Sequence, residues 1–283
     1  MLEKRINMTI KIILTIGFLL FISEMSFSQD SATVTTGEIK IKMITNRPGF
    51  TEASRAVFHK GFQIETGFQY SKTPTIKGSS EYSSNILVPN LGLLYGISKN
   101  VEIRGFINYE GNKFISTGLE SGYAYDFNSL ILGAKINLTD AKGAIPEMAL
   151  VLQQVFPTSS PDFEKWSSVA MLAWSYGLPA NFGLSGNIIY TLDFGTGNHA
   201  PISNPHNLGY TLNLGYSITE KLGTYAELYG NNTFGNGDKL NVNLTGGFMY
   251  LINPKFQVDL IGGYGFETGS TLVNVGFSWL ILK

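Results

Sequence analysis

The chain has 283 residues and a net charge of −1, and only 14% of its residues are charged. Soluble domains usually carry about 25% charged residues, so this composition is unusual for one, and the balanced charge gives no support for nucleic-acid binding. The absence of cysteine excludes a disulfide framework, a thiolate metal site and a lipid anchor on cysteine.

The first 28 residues have the pattern of a secretory signal peptide. Lys4, Arg5 and Lys11 precede an apolar run at 12–22, and small residues follow up to Ser28. This run is shorter than the roughly 20 residues that a transmembrane helix needs. We therefore predict secretion and cleavage after Ser28.

Residues 29–60 form an N-terminal segment ahead of the first predicted strand. The segment carries Arg47, Glu52 and Arg55, and the Pro-Gly dipeptide at 48–49 gives it a bend. Two interpretations stay open. The segment is either a solvated periplasmic tail or a plug that enters a barrel, in which case these three charged residues are the plug candidates.

From residue 61 the sequence alternates between apolar and polar residues, as in 62–70. A strand points successive side chains to opposite faces, so each such stretch has one apolar and one polar wall. The pattern predicts twelve strands at 61–71, 84–97, 100–110, 128–138, 147–156, 166–178, 181–192, 207–219, 221–231, 239–252, 255–266 and 272–282. Each is close to the roughly 9–11 residues that a tilted strand needs to cross a bilayer.

Short and long connections between these strands alternate along the chain. The short ones are 98–99, 139–146, 179–180, 220 and 253–254, and the long ones are 72–83, 111–127, 157–165, 193–206, 232–238 and 267–271. Outer-membrane barrels have short periplasmic turns, long external loops and an even strand number. Residues 61–283 are therefore predicted to form an all-β, twelve-stranded, antiparallel up-and-down transmembrane barrel.

The alternation also predicts which side chains face lipid. Leu132, Leu214 and Leu244 fall on the outward parity. Aromatic residues on that parity near strand ends form a predicted girdle of Tyr70, Tyr95, Tyr109, Tyr190, Tyr210, Tyr216, Tyr250 and Trp279. The strands at 147–156 and 166–178 do not alternate, and the sequence leaves their faces unassigned.

The inward parity carries a set of charged residues, which are the candidates for lining the lumen: Glu65, Glu102, Arg104, Lys135, Glu227 and Asp259. One interpretation is that they form ion pairs and hydrogen bonds that fill a wet interior. The other is that some of them line a permeation path, as charged rings do in pores. Both interpretations can hold together.

The sequence gives no sign of catalysis. His59, His199 and His206 are too scattered for a metal site, and none falls on an outward strand position where a barrel phospholipase would need it. The Gly-rich stretch at 195–198 opens no helix, so a phosphate-binding loop is not supported. We expect no enzyme activity, no cofactor and no metal.

Several sequence blocks resemble one protein family. The blocks 45–52 (TNRPGFTE) and 61–67 (GFQIETG) are similar to the opening of the "MetA-pathway of phenol degradation" family of outer-membrane barrels. The blocks 95–104, 216–230 and 251–260 are similar to its strand–turn–strand repeats, so the resemblance spans about residues 45–282. It implies a transporter-like barrel, linked in some members to uptake of aromatic or other small hydrophobic compounds, with no established catalytic residues.

We therefore expect an outer-membrane channel for passive passage of a small, hydrophobic or aromatic solute. Its expected partners are outer-membrane lipid, the solute and the barrel assembly machinery. One alternative is a structural or adhesive barrel with an occluded lumen, in which loops 111–127 and 193–206 bind partners. A second is a soluble periplasmic β-protein.

Overall fold

A closed wall of antiparallel strands dominates the computed structural model. The structure describes residues 43–116, 119–158, 166–194, 205–233 and 241–282. The predicted signal peptide and residues 29–42 of the N-terminal segment lie outside these ranges. Among the described residues, no helix is long and apolar enough to cross a membrane.

The strands in chain order are β1 (Gly61–Pro74), β2 (Tyr82–Gly96), β3 (Val101–Ser116), β4 (Leu119–Glu120), β5 (Ala124–Thr139), β6 (Glu147–Pro157), β7 (Trp166–Gly177), β8 (Phe182–Phe194), β9 (His206–Ser217), β10 (Leu222–Thr233), β11 (Asn243–Asn253), β12 (Phe256–Gly265) and β13 (Thr271–Leu282).

Twelve of these strands form the barrel. Each pairs antiparallel with its neighbours in the chain, and β1 closes the wall by pairing with both β2 and β13. The two-residue strand β4 pairs only with the end of β3 and belongs to the loop between β3 and β5. Closure leaves no free strand edge, so the backbone groups of the wall are paired with one another. The predicted twelve-stranded antiparallel barrel is confirmed.

The barrel has two distinct ends. We call the end with connections 97–100, 140–146, 178–181, 218–221 and 254–255 the turn end. The other end, with connections 75–81, 117–123, 158–165, 195–205, 234–242 and 266–270, is the loop end. The predicted alternation of short and long connections is thus present in the fold.

Burial is inverted relative to a soluble protein. Outward residues such as Leu132, Leu214 and Leu244 are exposed by 47%, 45% and 39%. Inward residues such as Gln63 and Glu102 are 1% and 0% exposed. An apolar exterior around a polar interior suits a barrel surrounded by lipid. The apolar side chains that a soluble protein would bury in its core here face the hydrocarbon of the bilayer.

Two predicted boundaries are wrong. The predicted loop 111–127 is mostly strand, because β3 continues to Ser116 and β5 begins at Ala124. Polar residues and glycine obscure the alternation there, yet Tyr125 and Phe127 lie 5.9 and 5.0 Å from the Tyr109 ring across the strand pair. The predicted strand at 239–252 begins only at Asn243 within the described residues.

The structure assigns the faces that the sequence left open. On β6, Ala149 and Val151 are fully buried and therefore inward, and on β7 Ala173 is fully buried opposite Ala149. The inward wall of this strand pair is apolar over these positions. Alternation is absent from the sequence because both faces of the strand pair carry apolar residues.

The outward face predicts how the barrel tolerates charge. Substituting Arg for Leu132, Leu214 or Leu244 places a charge against mid-bilayer lipid and should lower the free energy of unfolding by about 2–4 kcal/mol. The inward substitution Asn213→Leu, one residue away from Leu214, should have a much smaller effect. The measurement is equilibrium folding into lipid vesicles, and equal tolerance of both faces would contradict the orientation of the wall.

Candidate functional site

The described part of the N-terminal segment, residues 43–60, runs along the inside of the barrel. Its hydrogen bonds follow the wall in ring order. They begin at β1 and β13, pass β12, β10, β9, β8, β7, β6 and β5, and return to β3 and β2. The segment therefore forms an inner belt, which we define as residues 43–57.

The belt begins with two contacts near β1 and β13. The hydroxyl of Thr45 donates to Glu65 over 2.9 Å, and its oxygen is 2.6 Å from the Ser278 hydroxyl. Arg47 reaches further and makes two hydrogen bonds to the carboxylate of Asp259, at 3.1 and 2.7 Å. It also donates to Asn274 over 2.6 Å. The planar guanidinium suits this two-point recognition of a carboxylate.

Two facing glycines make room for Arg47. Gly67 and Gly276 are cross-strand partners on β1 and β13. A Cβ atom at Gly276 would lie 2.1 Å from the Arg47 Nη2 atom, and one at Gly67 would lie 2.8 Å from it. A side chain at either position would occupy the space of the guanidinium, so these glycines permit its close approach to the wall.

The backbone of the belt supplies the partners of Glu227. The amides of Phe50 and Thr51 donate to this carboxylate at distances of 2.6–3.1 Å, and the Thr51 hydroxyl donates over 2.6 Å. Thr245 adds a further hydroxyl donor at 2.7 Å. Hydrogen bonds from neutral donors thus take the place of a cation at Glu227.

The charged centre of the belt is Glu52. Its carboxylate is 2.7 Å from Arg104 and 2.6 Å from Lys135, whose side chains are 0% and 1% exposed. Arg104 also contacts Glu102 at 2.7 Å. Burial alone would raise the pKa of Glu52, but the charges of Arg104 and Lys135 lower it to about 2. Glu52 therefore stays ionised at neutral pH.

The second half of the belt returns along β6, β5 and β3. Ser54 donates to Glu147 over 2.6 Å, and Arg55 pairs with Glu147 and, at 2.9 Å, with Asp140. The amide of Ala56 donates to Asn137 over 2.8 Å. The amide of Val57 donates to Glu102, also over 2.8 Å.

The two ends of the belt meet in a small apolar cluster at the turn end. Met43 and Val57 pack with Leu94 of β2 and Leu280 of β13, and all four are at most 7% exposed. The belt is therefore held by hydrophobic contact where it begins and ends and by polar contact in between.

The structure brings the charged residues singled out from the sequence into one network. All six inward candidates are buried, and each contacts a residue of the belt: Glu65, Glu102, Arg104, Lys135, Glu227 and Asp259. The three candidates from the segment, Arg47, Glu52 and Arg55, each contact the wall.

Sequence reasoning did not select Glu147, Thr45 or Ser54 for this site. Glu147 lies on a strand whose faces the sequence did not show, although it is the only acidic residue of β6. Thr45 and Ser54 carry no pattern that separates them from ordinary loop residues. The one signal available in the sequence was that Thr45 and Ser54 lie close to Arg47 and Arg55 along the chain.

Acidic residues prevail on the inward wall. Within the described strands the inward parity carries two bases, Arg104 and Lys135. It carries eight acids, namely Glu65, Glu102, Glu110, Asp126, Glu147, Asp193, Glu227 and Asp259. The belt adds two cations and one anion. The interior is therefore negative with the belt in place.

A recess lies between the belt and the loop end of the lumen. It has a volume of about 190 Å³ and is bordered by residues of the belt, β1, β10, β12 and β13, including Phe50, Gln69, Ser71, Tyr229, Gly263 and Leu272. Phe50 stacks on Tyr229 with ring centroids 4.2 Å apart. The recess thus combines an aromatic side with a wall of hydroxyl and amide groups.

Comparison with known proteins agrees with this architecture. The family described as "Putative MetA-pathway of phenol degradation" matches residues 45–281. This range includes residues 45–57 of the belt and nearly the whole barrel. No curated protein matches the chain by sequence.

Among solved structures, an outer membrane channel from Pseudomonas putida F1, of the group named COG4313, superposes with a TM-score of 0.64. The alignment has 14% identity and covers 83% of this chain and 99% of the channel. The β domain of the Bordetella autotransporter BrkA superposes with a TM-score of 0.49 and 13% identity, and the alignment covers 77% of this chain and 98% of that domain. The CymD monoaromatic hydrocarbon channel superposes with a TM-score of 0.46 and 10% identity, and the alignment covers 80% of this chain and 90% of that channel. The first of these likenesses supports the barrel fold.

The lowered pKa of Glu52 predicts a pH dependence of stability. The ordinary pKa of 4.5 applies in the unfolded chain and about 2 in the folded one, so its stabilising effect is complete above pH 4.5 and is lost as the pH falls towards 2. At about 1.4 kcal/mol per pKa unit, the loss is about 3 kcal/mol.

The measurement is the free energy of unfolding against pH for the native chain and Glu52→Gln. The native chain should lose more stability than the variant between pH 4.5 and 2. Glu220→Gln, in an exposed turn, serves as the control and should follow the native curve. Parallel curves for all three proteins would show that Glu52 is not held by Arg104 and Lys135.

Proposed function

The chain belongs to the MetA-pathway of phenol degradation family, and we propose that it is an outer-membrane channel for passive passage of a small hydrophobic or aromatic solute. The observation that carries the proposal is the aromatic recess in the lumen of a closed barrel with an apolar exterior. Its volume of about 190 Å³ suits a single-ring molecule, since a cavity of about 150 Å³ holds benzene.

The recess supports this class of solute by its chemistry. Phe50 and Tyr229 present aromatic surface to the recess, and Phe50 is 42% exposed. Gln69, Ser71 and Thr73 offer polar groups across the recess. Ligand sites commonly combine apolar surface with a few polar groups that fix orientation.

In this proposal the belt narrows the channel. It follows the inner wall through residues 43–57 and occupies space at the turn end that a solute would otherwise use. The belt is bound to Glu102, Arg104 and Lys135, and removing a partner from such buried charges costs several kcal/mol. The belt is therefore a fixed constriction in this proposal.

A second candidate function follows from the same belt. A belt that bonds to ten of the twelve barrel strands also suits a structural or adhesive barrel whose lumen is occluded. The two candidates differ in one measurable property, because an occluded barrel conducts no ions and a channel does.

Conductance in planar bilayers tests the channel. The purified chain should conduct and should prefer cations, because inward acids outnumber bases, and raising the salt concentration should weaken the preference by screening. Deleting residues 29–55 should increase conductance, since it removes the constriction, and should increase cation preference, since Arg47 and Arg55 outnumber Glu52 in the belt. Anion selectivity of the native chain would contradict the charge assignment, and absence of conductance in every variant would favour the occluded barrel.

A single substitution tests the recess without removing the ionic contacts of the belt. Phe50→Ala should raise conductance and weaken retention of a monocyclic aromatic probe such as toluene, because it removes one side of the aromatic pair. Phe248→Ala, on the outward face and 54% exposed, is the matched control. Equal behaviour of the two variants would exclude the recess from the permeation path.

Orientation is tested by cysteine labelling, since the chain has no native thiol. We expect the loop end to face the cell exterior and the turn end the periplasm, as in other outer-membrane barrels. With an impermeant thiol reagent on intact cells, Gly78→Cys in loop 75–81 should react and Ser98→Cys in turn 97–100 should not. The opposite result would invert the orientation.

A further inference from the structure

The outward wall of the barrel carries two formal charges within the described strands. Ten of the twelve Asp, Glu, Lys and Arg residues on the barrel strands lie on the inward parity, and the exceptions are Lys72 on β1 and Lys113 on β3. Lys72 follows outward Tyr70 by two residues, and Lys113 follows outward Tyr109 by four. Both charges are positive and both lie near the loop end.

The two lysines occupy one transverse row of the wall. Ser84 on β2 pairs with Lys72 on one side and with Lys113 on the other. Adjacent antiparallel residues have Cα atoms about 4.5–5.5 Å apart, so the two lysine Cα atoms are roughly 10 Å apart. Lysine side chains are long enough for both ammonium groups to approach one ligand on the outer surface of the wall between them.

Aromatic rings accompany both lysines. The Nζ of Lys72 lies 3.7 Å from the centre of the Tyr82 ring, and that of Lys113 lies 5.6 Å from the centre of the Tyr123 ring. Ser84 is only 2% exposed although it is outward, and its hydroxyl oxygen is 3.1 Å from that of Tyr123. We call these five residues, Lys72, Tyr82, Ser84, Lys113 and Tyr123, the basic patch.

The patch lies directly above the aromatic girdle. The next outward row towards the barrel centre holds Tyr70 and Tyr125, which are 37% and 49% exposed, and Phe127 follows below. Tyrosine is enriched where the hydrocarbon of a bilayer meets its headgroups. This order places the basic patch at headgroup height.

One acidic residue competes for the patch. Glu120 of β4 forms an ion pair with Lys113. Its side chain is 63% exposed, whereas that of Lys113 is 22% exposed. Exposed ion pairs contribute little free energy, so a more highly charged ligand can share or replace this contact.

We propose that the basic patch binds the phosphate of a lipid headgroup in the outer leaflet of the membrane. The inference rests on the proposed membrane location and orientation. A charge on the lipid-facing wall is costly except near the headgroups, and two ammonium groups there favour an anion. Lipid A is a diphosphorylated glycolipid. Its phosphates carry the negative charge that the two ammonium groups favour, and they lie at the headgroup level where this row of side chains is placed.

The test measures lipid retained by the purified full-length chain. The protein is reconstituted in phosphatidylcholine vesicles containing a small fraction of diphosphorylated lipid A, extracted in mild detergent and analysed by native mass spectrometry. The native chain should retain lipid A, and the K72Q/K113Q variant should retain about ten-fold less. The control K99Q/K221Q, which removes two lysines from exposed turns at the other end, should retain the native amount.

Two further arms identify the chemistry. Dephosphorylated lipid A should be retained no better than phosphatidylcholine, and E120Q should raise retention of the phosphorylated form about two-fold, because it frees Lys113. Native-level retention by K72Q/K113Q, equal retention of the dephosphorylated lipid, or unchanged retention by E120Q would each overturn the proposal.

Folding and channel function are followed separately. Heat-modifiable mobility on gels reports whether each variant forms a barrel, and both double variants should do so because glutamine replaces lysine outside the core. The conductance of K72Q/K113Q should equal that of the native chain. Retention of lipid A by a chain that conducts neither in its native form nor without residues 29–55 would refute the channel and leave the lipid site standing.

Discussion

Arg104 sets the arrangement of the barrel interior. Its guanidinium is buried between Glu102 of the same strand and Glu52 of the belt, at 2.7 Å from each. A buried ion that loses a partner costs several kcal/mol, so the charge on the wall needs the charge on the belt. Lys135, 2.6 Å from Glu52, ties the same carboxylate to the next barrel strand. The belt is therefore best understood as part of the barrel's polar core.

The same requirement explains how the polar groups inside the barrel find partners at the turn end. Inward carboxylates on a closed wall would otherwise need water or cations as partners. Here the backbone amides of Phe50, Thr51 and Val57 donate to Glu227 and Glu102, and Arg47 meets Asp259. Each contact satisfies one buried group on the wall and one on the belt, so the contacts hold the belt against the wall.

The inner and outer faces of this barrel differ in the charge that they carry. The exterior excludes charge from lipid, and its two exceptions, Lys72 and Lys113, lie at the loop end beside tyrosine rings. The interior concentrates negative charge and leaves one aromatic recess beside Phe50.

The sequence by itself determined the barrel, because a period of two residues fixes which side chains face lipid, and alternating turn lengths fix the order of the strands. It also determined that Arg104, Glu102 and Lys135 point inward, since parity alone decides this. It could not assign β6 and β7, where Ala149, Val151 and Ala173 make the inward face as apolar as the outer one. Nor could it decide between a free tail and an inner belt. The partners of Arg47 and Glu52 lie more than 50 residues away in the chain, and only closure of the barrel brings these charges within bonding distance.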